Sequence, residues 1–94
     1  MIVRISGEGQ YRLDESHHER LNELDDAVVA AVDGGDANAY AERFEALLAY
    51  VRDAGAELAE DELEGSDFIL PPADLTFDEA GTEFNGDGLI PDLA

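Results

Sequence analysis

The sequence contains no cysteine and no lysine, and each absence excludes a class of protein. Without cysteine there is no disulfide, no thiolate ligand for a metal ion and no cysteine nucleophile. Without lysine, five arginines face 24 aspartates and glutamates, and the formal net charge is -19. The phosphates of nucleic acids and of anionic lipids repel such a surface, which disfavours direct binding to either.

Long apolar stretches are also missing. The two longest runs, 27–32 and 68–73, are far shorter than the roughly 20 residues that span a bilayer. The first six residues hold too few apolar side chains to form the apolar region of a signal peptide. We therefore expect a cytoplasmic protein that does not insert into a membrane.

The composition that is present suits one small domain. Of the 94 residues, 45% are hydrophobic, which is enough for one modest core, and we expect a single domain over 1–94. At about 1 M salt the Debye length falls to about 3 Å, and repulsion among the carboxylates is largely screened. The charge therefore fits a halophilic cytoplasm best.

Two segments near the start alternate apolar and polar side chains around a glycine-containing turn at 6–9. A period of two residues is typical of half-buried strands, and the turn between them predicts a β-hairpin. One set of side chains would face the core, and the polar set would share the opposite face. The inward set is Val3, Ile5, Tyr11 and Leu13, and the outward set is Arg4, Gln10 and Arg12.

Two helices joined by a tight turn are predicted next. A capping box of Ser16 and Glu19 marks the start of the first helix, with Asp14 as a competing cap. Residues 34–36 supply two glycines that end it and an aspartate that caps the second helix, which stops at Gly55. Apolar residues recur at helical spacing in both, and the pair forms a helical hairpin. These residues are Leu21, Leu24, Val28 and Val32, then Tyr40, Phe44, Leu47, Leu48 and Val51.

The last third of the chain predicts one more strand and one more helix. Residues 56–67 are acidic and are expected to form a loop, and 68–70 read as a short third strand closed by two prolines. A second capping box, Thr76 with Glu79, opens a short helix that Gly81 weakens by about 1 kcal/mol relative to alanine. The predicted fold class is therefore α+β, in the order β-β-α-α-β-α.

Adjacent histidines at 17 and 18 are the first candidate for chemistry. Neighbouring helical residues point about 100° apart, and Leu21 and Asn22 stand at i+4, where a second metal ligand would be needed. Two solvated histidines in a first helical turn are the simpler interpretation. A metal-binding or metal-sensing protein that uses His17 or His18 is the alternative.

Residues 83–90 are the second candidate, because they mimic the first eight positions of an EF-hand calcium loop. Glu83 stands where aspartate is usual, Pro91 occupies position 9, and Ala94 stands where the bidentate glutamate belongs. We expect a helix stop and a docking apolar tail here. Metal binding by the turn at Asn85, Gly86 and Asp87 belongs to the same alternative.

Catalysis is not indicated by the remaining residues. Carboxylates are so frequent that two lying close together say little about general acid and base roles. The serines and histidines follow no nucleophile-elbow pattern, and residues 7–9 lack the further glycines and the lysine of a phosphate loop. We therefore expect no enzymatic activity and no cofactor.

Three places are candidates for contact with a partner protein. Arg4 and Arg12 form the one cluster of positive charge and would meet acidic side chains, although they could equally pair with carboxylates of this chain. Tyr50 lies outside the apolar stripe of its helix and is expected to be exposed. An edge strand with its prolines could pair with another chain, with core packing as the alternative. That segment is Phe68, Ile69, Leu70, Pro71 and Pro72.

The order of these elements resembles the PspA-associated domain family, PspAA, over nearly the whole chain. The segments that carry the resemblance are 1–5 (MIVRI), 7–11 (GEGQY), 21–28 (LNELDDAV), Leu47-Leu48 with Val51-Arg52, 61–63 (DEL), 66–74 (SDFILPPAD) and 88–91 (GLIP). The chain departs from the family pattern at Gly81, where a more helix-favouring residue is expected.

The resemblance implies a noncatalytic accessory protein that associates with PspA, a coiled-coil membrane-stress protein related to the ESCRT-III type of membrane remodeller. The acidic composition points to a haloarchaeal-type member. On this view the protein reaches the membrane only through its partner. An acidic decoy for a nucleic-acid-binding protein is a third interpretation, but adaptation to salt explains the same charge.

Overall fold

A computed structural model describes residues 1–58 and 65–84 as one mixed sheet with helices packed on one side. The α+β class and the order β-β-α-α-β-α are confirmed. A further strand of two residues lies in the acidic segment that we expected to be a loop. The elements are β1 (Ile2–Ile5), β2 (Gly9–Arg12), α1 (His18–Asp33), α2 (Ala37–Ala54), β3 (Ala56–Glu57), β4 (Phe68–Leu70) and α3 (Phe77–Glu83).

The sheet has the strand order β3-β2-β1-β4, so the N-terminal hairpin forms its centre. β1 and β2 are antiparallel, with Val3 paired to Tyr11 and Arg4 paired to Gln10. β4 runs parallel to β1 and places Ile69 beside Arg4. Because paired residues share a face, Val3 and Tyr11 lie on one side of the sheet and Arg4, Gln10 and Ile69 on the other, as the alternation predicts for the hairpin.

The turn between β1 and β2 depends on its glycines. Gly7 has a φ of 83° and Gly9 a φ of 149°, a region of backbone conformation that residues with a Cβ atom rarely adopt. Glu8 lies between them, and its backbone N–H donates to the carbonyl of Ile5 at 2.9 Å. The turn therefore holds the Glu8 side chain at the end of the hairpin.

The start of the first helix differs from the prediction. The Asp14 carboxylate accepts from the backbone N–H of Ser16 at 2.9 Å and opens a 3-10 turn over Glu15–His17. The α-helix begins at His18, and its N-cap His17 makes no side-chain capping bond. The competing cap at Asp14 is therefore the one used, because its carboxylate satisfies the orphan N–H of Ser16, the residue at which the predicted box would begin.

The second helix matches its prediction closely. Asp36 Oδ1 accepts from the N–H of Ala39 at 3.0 Å, which caps the start of α2. Gly35 adopts a positive φ of 69° between the helices. All five apolar residues that were predicted to share a stripe are buried: Tyr40, Phe44, Leu47, Leu48 and Val51.

The short C-terminal helix closes the core. Its predicted capping box is present, since Glu79 N–H donates to Thr76 Oγ1 at 3.2 Å and the Glu79 carboxylate accepts from the Thr76 N–H at 3.4 Å. Phe84 follows α3 and is completely buried, with its ring 5.5 Å from that of Phe44. The EF-hand-like turn after it and the predicted docking tail lie outside the described residues.

Candidate partner-binding surface

The sheet has two faces with different surroundings. The inner face carries Val3, Ile5 and Leu70, all completely buried beneath the helices. The outer face is defined here by the side chains on the opposite side of the same strands: Ile2, Arg4, Gln10, Arg12, Ala56 and Ile69. Of these, Arg4, Arg12, Ala56 and Ile69 are exposed, whereas Ile2 is buried.

The outer face arranges its side chains in two rows across the strands. One row runs Gln10, Arg4, Ile69, and the next runs Ala56, Arg12, Ile2. Arg4 and Arg12 are diagonal neighbours on β1 and β2, a relation that separates Cα atoms by about 7 to 8 Å. The structure thus brings the two predicted arginines together, and it adds an apolar side chain beside Arg4.

The other three arginines have partners within the helical layer or at its edge. Arg20 Nη1 lies 3.1 Å from Glu23 Oε2 on the surface of α1. Arg43 Nη1 donates to the carbonyl of Ala27 at 3.1 Å and so joins α2 to α1. Arg52 forms an ion pair with Glu8, described below. Arg4 and Arg12 therefore differ from the rest in lying on the outer face of the sheet.

The segment from Phe68 to Pro72 is divided between core and surface. β4 is an edge strand of the sheet, which is the position that pairing with another chain would need. Leu70 and Pro71 are nevertheless buried, and Phe68 and Pro72 are half-buried. Ile69 is 58% exposed, the one large apolar side chain in the described residues with that exposure. Ile69 is therefore the only exposed side chain in this segment.

Tyr50 is half-buried and is already engaged by a neighbour. Its hydroxyl lies 2.6 Å from Nδ1 of His17, and the two rings meet edge to face with centroids 5.7 Å apart. The expectation of an exposed tyrosine is therefore wrong, because the turn before α1 brings an imidazole against it. Tyr50 ties α2 to that turn.

The histidines are packed residues and not the solvated pair that we expected. His18 is only 5% exposed, and its ring centroid lies 5.7 Å from that of Phe68 on β4. His17 contacts Tyr50 on α2, so the two imidazoles serve different parts of the structure. Within residues 1–58 and 65–84, no three histidines, aspartates or glutamates lie close enough to hold a metal ion.

Asp25 is a buried charged residue that our sequence analysis missed. It sits in α1 with no exposed surface, and it interacts with other groups of the chain. Its position follows Leu21 by four residues and precedes Val28 by three, so it falls on the apolar stripe of the helix. That spacing is the signal by which its burial could have been predicted.

The pKa values of three ionisable side chains are shifted in the directions that favour their ordinary charge states. The Arg52 guanidinium beside Glu8 lowers the pKa of that carboxyl. Burial raises the pKa of the Tyr11 hydroxyl, and the carboxylates of Glu8 and Glu57 add to that rise. Burial likewise raises the pKa of Tyr40. Such shifts keep Glu8 ionised and both phenols neutral near pH 7, which suits structural contacts and not proton transfer.

A shallow groove of about 380 Å³ lies between α2 and residues 73–75. Tyr40, Phe44 and Leu48 line it, and Glu45 and Arg52 stand among its polar groups. The Tyr40 hydroxyl donates to the carbonyl of Leu75 at 2.8 Å, so this polar atom is occupied by the wall of the groove. The groove therefore combines a packed aromatic lining with one acidic and one basic side chain.

No helix of the described residues is both long enough and apolar enough to cross a membrane. The fold and its surfaces thus define a small α+β protein in which one sheet face carries two exposed arginines and an exposed isoleucine beside the buried Ile2.

The family model described as PspA-Associated protein, PspAA, matches residues 1–92, and the chain belongs to this family. Comparison with curated proteins and with solved structures finds no match for the chain.

Proposed function

We propose that this protein is a noncatalytic accessory partner of a PspA-like coiled-coil protein in a membrane-stress response. The observation that carries the proposal is the family match over residues 1–92, because the family is defined by association with PspA.

The proposed environment is a cytoplasm of high salt. A net charge of -19 on 94 residues is strongly self-repulsive in dilute buffer and is largely screened in concentrated salt. The same charge opposes direct contact with anionic lipid, so the protein would reach a membrane through its partner. A halophilic, cytoplasmic adaptor accounts for both the family and the composition.

Affinity purification from the protein's own host tests the proposal. The tagged chain would be isolated in about 1 M KCl, at which surface charge is screened, and bound proteins would be identified by mass spectrometry. We expect a PspA-like coiled-coil protein to be enriched over an equally acidic, unrelated bait. Circular dichroism of the recovered bait would verify that it is folded. A folded bait that recovers no such protein would overturn the proposed association.

A further inference from the structure

A pocket of about 230 Å³ lies where the start of α1 meets the beginnings of β1 and β4. Its lining among the described residues combines two carboxylates, an imidazole, an aromatic ring and a thioether. These residues are Met1, Glu15, His18, Asp67 and Phe68. They come from separate parts of the chain, so the pocket exists only in the folded protein.

His18 is the buried polar member of this lining. It is only 5% exposed, and its ring packs against that of Phe68. In the described part of the chain no hydrogen bond reaches its ring nitrogens, yet no buried side-chain nitrogen or oxygen there lacks a partner. The imidazole nitrogens must therefore reach solvent. The pocket that His18 lines is where they do so.

The pocket carries negative charge that this chain does not neutralise. Glu15 and Asp67 are both exposed, and neither forms an ion pair within the described residues. Asp67 Oδ2 accepts from the N–H of Ile2 at 2.7 Å, but a carboxylate offers about four acceptor positions and so has room for a further donor. The Met1 ammonium beside the pocket donates to the carbonyl of Leu13 at 2.8 Å.

The rest of the chain supplies no further cation to the pocket. None of the five arginines is among the described residues that line it. Residues 59–64 and 85–94 contain no arginine, lysine or histidine. The two carboxylates are therefore left to pair with a cation from outside the chain.

We propose that this pocket binds the guanidinium group of an arginine side chain of the PspA-like partner. The N–H groups of the guanidinium donate to the carboxylates of Glu15 and Asp67 and to an imidazole nitrogen of His18. The ring of Phe68 packs against the planar cation. The inference rests on the proposed function for the identity of the partner, whereas the pocket and its preference for arginine are tested separately.

The chemistry of the lining favours arginine. A guanidinium is planar, donates several N–H groups in a fixed fork, and stacks on aromatic rings. The rings of His18 and Phe68 are inclined by 52° to each other, and an aromatic face attracts a cation placed within about 6 Å of it. Lysine carries a compact, strongly hydrated charge that suits such a lining less well. The pocket therefore matches a flat cation that donates in several directions.

Other occupants match the pocket less well. Its volume is below the roughly 300 to 1,000 Å³ of pockets that hold drug-sized ligands, and it suits a single side chain. An anionic group would meet two carboxylates. A structural or catalytic zinc ion needs at least about three protein ligands, and no three histidines, aspartates or glutamates of the described residues lie close enough to provide them.

Titration with blocked arginine tests the pocket without the partner. N-acetyl-arginine amide would be added at the lowest KCl concentration at which circular dichroism shows the native fold, because salt weakens ion pairs. NMR would follow the imidazole resonances of both histidines. We expect saturable shifts at His18 and none at His17, whose Nδ1 lies 2.6 Å from the Tyr50 hydroxyl and which does not line the pocket.

Two analogues test which property of arginine is recognised. Blocked citrulline has nearly the same shape without the charge and should bind at least about tenfold more weakly. Blocked lysine keeps the charge without the planar fork and should bind about threefold or more weakly. No shift at His18, equal shifts at both histidines, or equal binding of either analogue would overturn the proposed arginine site.

Two pairs of neutralising substitutions compare the pocket with the helix surface. Glu15→Gln with Asp67→Asn removes both carboxylate charges and keeps an acceptor for the N–H of Ile2. Glu19→Gln with Asp26→Asn makes the same change of charge at exposed positions of α1. We expect the pocket pair to weaken binding of blocked arginine by about tenfold or more, and the helix pair by less than about threefold. Equal losses would show that total charge, and not the pocket, attracts the cation.

A single variant tests the imidazole itself. His18→Phe keeps a ring against Phe68 and removes both nitrogens, so circular dichroism should show an unchanged fold. Binding of blocked arginine, followed at the Phe68 resonances, should weaken by about fivefold because one hydrogen bond is lost. Unchanged affinity would overturn the role of His18.

Binding to the purified PspA-like protein separates failure of the pocket from failure of the association. Fluorescence anisotropy would measure it in about 1 M KCl for the wild type and for both charge-neutralised pairs. Loss of affinity in the pocket pair alone would support the proposal. Equal affinity of all three proteins would show that the pocket is not the contact, while the association stands. If the PspA-like protein does not bind, the association fails, and the arginine titration then decides for or against the site by itself.

Discussion

The two faces of one small sheet differ in what their side chains do. On the inner face, Ile5 and Leu70 are completely buried beneath the helices. On the outer face, Arg4 and Ile69 come from the same two strands and are exposed. Because successive strand residues point to opposite sides, neighbouring positions can separate stability from binding. The comparison teaches that the large core is concentrated on one side of the sheet, whereas the other side mixes exposed side chains such as Arg4 and Ile69 with the buried Ile2.

The largest expected effect comes from two adjacent residues of β4. Leu70→Ala should destabilise the fold by about 2 to 5 kcal/mol, because it leaves a cavity in the core. Ile69→Ala should change the free energy of unfolding by less than about 0.5 kcal/mol, because its side chain is mainly in solvent. Urea unfolding followed by circular dichroism at constant KCl measures both. Similar losses for the two variants would break the distinction between the faces.

A pair of glycines tests how closely the helices approach the inner face. A Cβ at Gly55 would lie 2.9 Å from Tyr11 Cβ and 2.7 Å from the carbonyl oxygen of Val51. Gly55→Ala should therefore destabilise the fold by about 1 to 3 kcal/mol, because either the backbone at the end of α2 or the strand β2 must move to make room for the methyl group.

Gly81 in α3 is the matched control, since a Cβ there meets nothing within 4 Å. Gly81→Ala should stabilise the protein by about 0.5 to 1 kcal/mol through higher helix propensity. Thermal unfolding of both variants should show shifts of opposite sign. A stabilised Gly55→Ala would mean that the end of α2 is less tightly seated on β2 than the structure indicates.

Tyr50 offers a further test of the difference between the two sides of the sheet, because it belongs to α2 and contacts the turn before α1. Tyr50→Phe removes the hydroxyl bound to His17 and should cost about 0.5 to 1.5 kcal/mol. Combined with His17→Ala in a double-mutant cycle, it should show a coupling energy of similar size. Affinity for the partner should remain that of the wild type. A loss of affinity with unchanged stability would place Tyr50 in the interface instead.

The smallest expected effect is the pH dependence of the ion pair between Glu8 and Arg52. Arg52 lowers the pKa of Glu8 below its ordinary 4.5 in the folded protein. The pair therefore stabilises the fold fully above about pH 4.5 and loses that contribution as the pH falls through the folded pKa. At neutral pH its worth should be about 0.2 to 1 kcal/mol, because both side chains are partly exposed.

Urea midpoints of the wild type and Glu8→Gln should therefore differ near pH 7 and converge as the solution is acidified. Glu23→Gln, which removes the exposed partner of Arg20, is the control and should follow the wild type throughout. A constant difference between wild type and Glu8→Gln down to acidic pH would show that the carboxylate charge is not what stabilises this contact.

Local patterns in the sequence predicted most of the elements. The alternation around Arg4 predicted the hairpin and its two faces, and the spacing from Tyr40 to Val51 predicted the buried stripe of α2. Caps at Asp36 and Thr76 were correct, because each depends on a bond to a backbone N–H only three residues away. These signals are local and are therefore readable without the tertiary structure.

Several errors arose where distant residues decide the environment of a side chain. His18 is buried because β4 brings Phe68 against it, and Tyr50 is half-buried because His17 reaches its hydroxyl. The two-residue strand β3 exists through its pairing with β2, and its own sequence carries little strand propensity. None of these contacts has a signature within its own stretch of sequence.

The sequence by itself determined the alternation of the hairpin, the stripe of the second helix, the caps and the charge, since each depends on residue type at short spacing. Only the tertiary structure decided that β4 pairs in parallel with β1, which carries Ile69 from the far part of the chain to the side of Arg4. Such pairing depends on how the whole chain packs. The conformational entropy lost when a long loop closes is offset only by contacts that form together across the core. The alternation of the hairpin thus placed Arg4 and Arg12 on the outer face, and the tertiary structure added Ile69 beside Arg4.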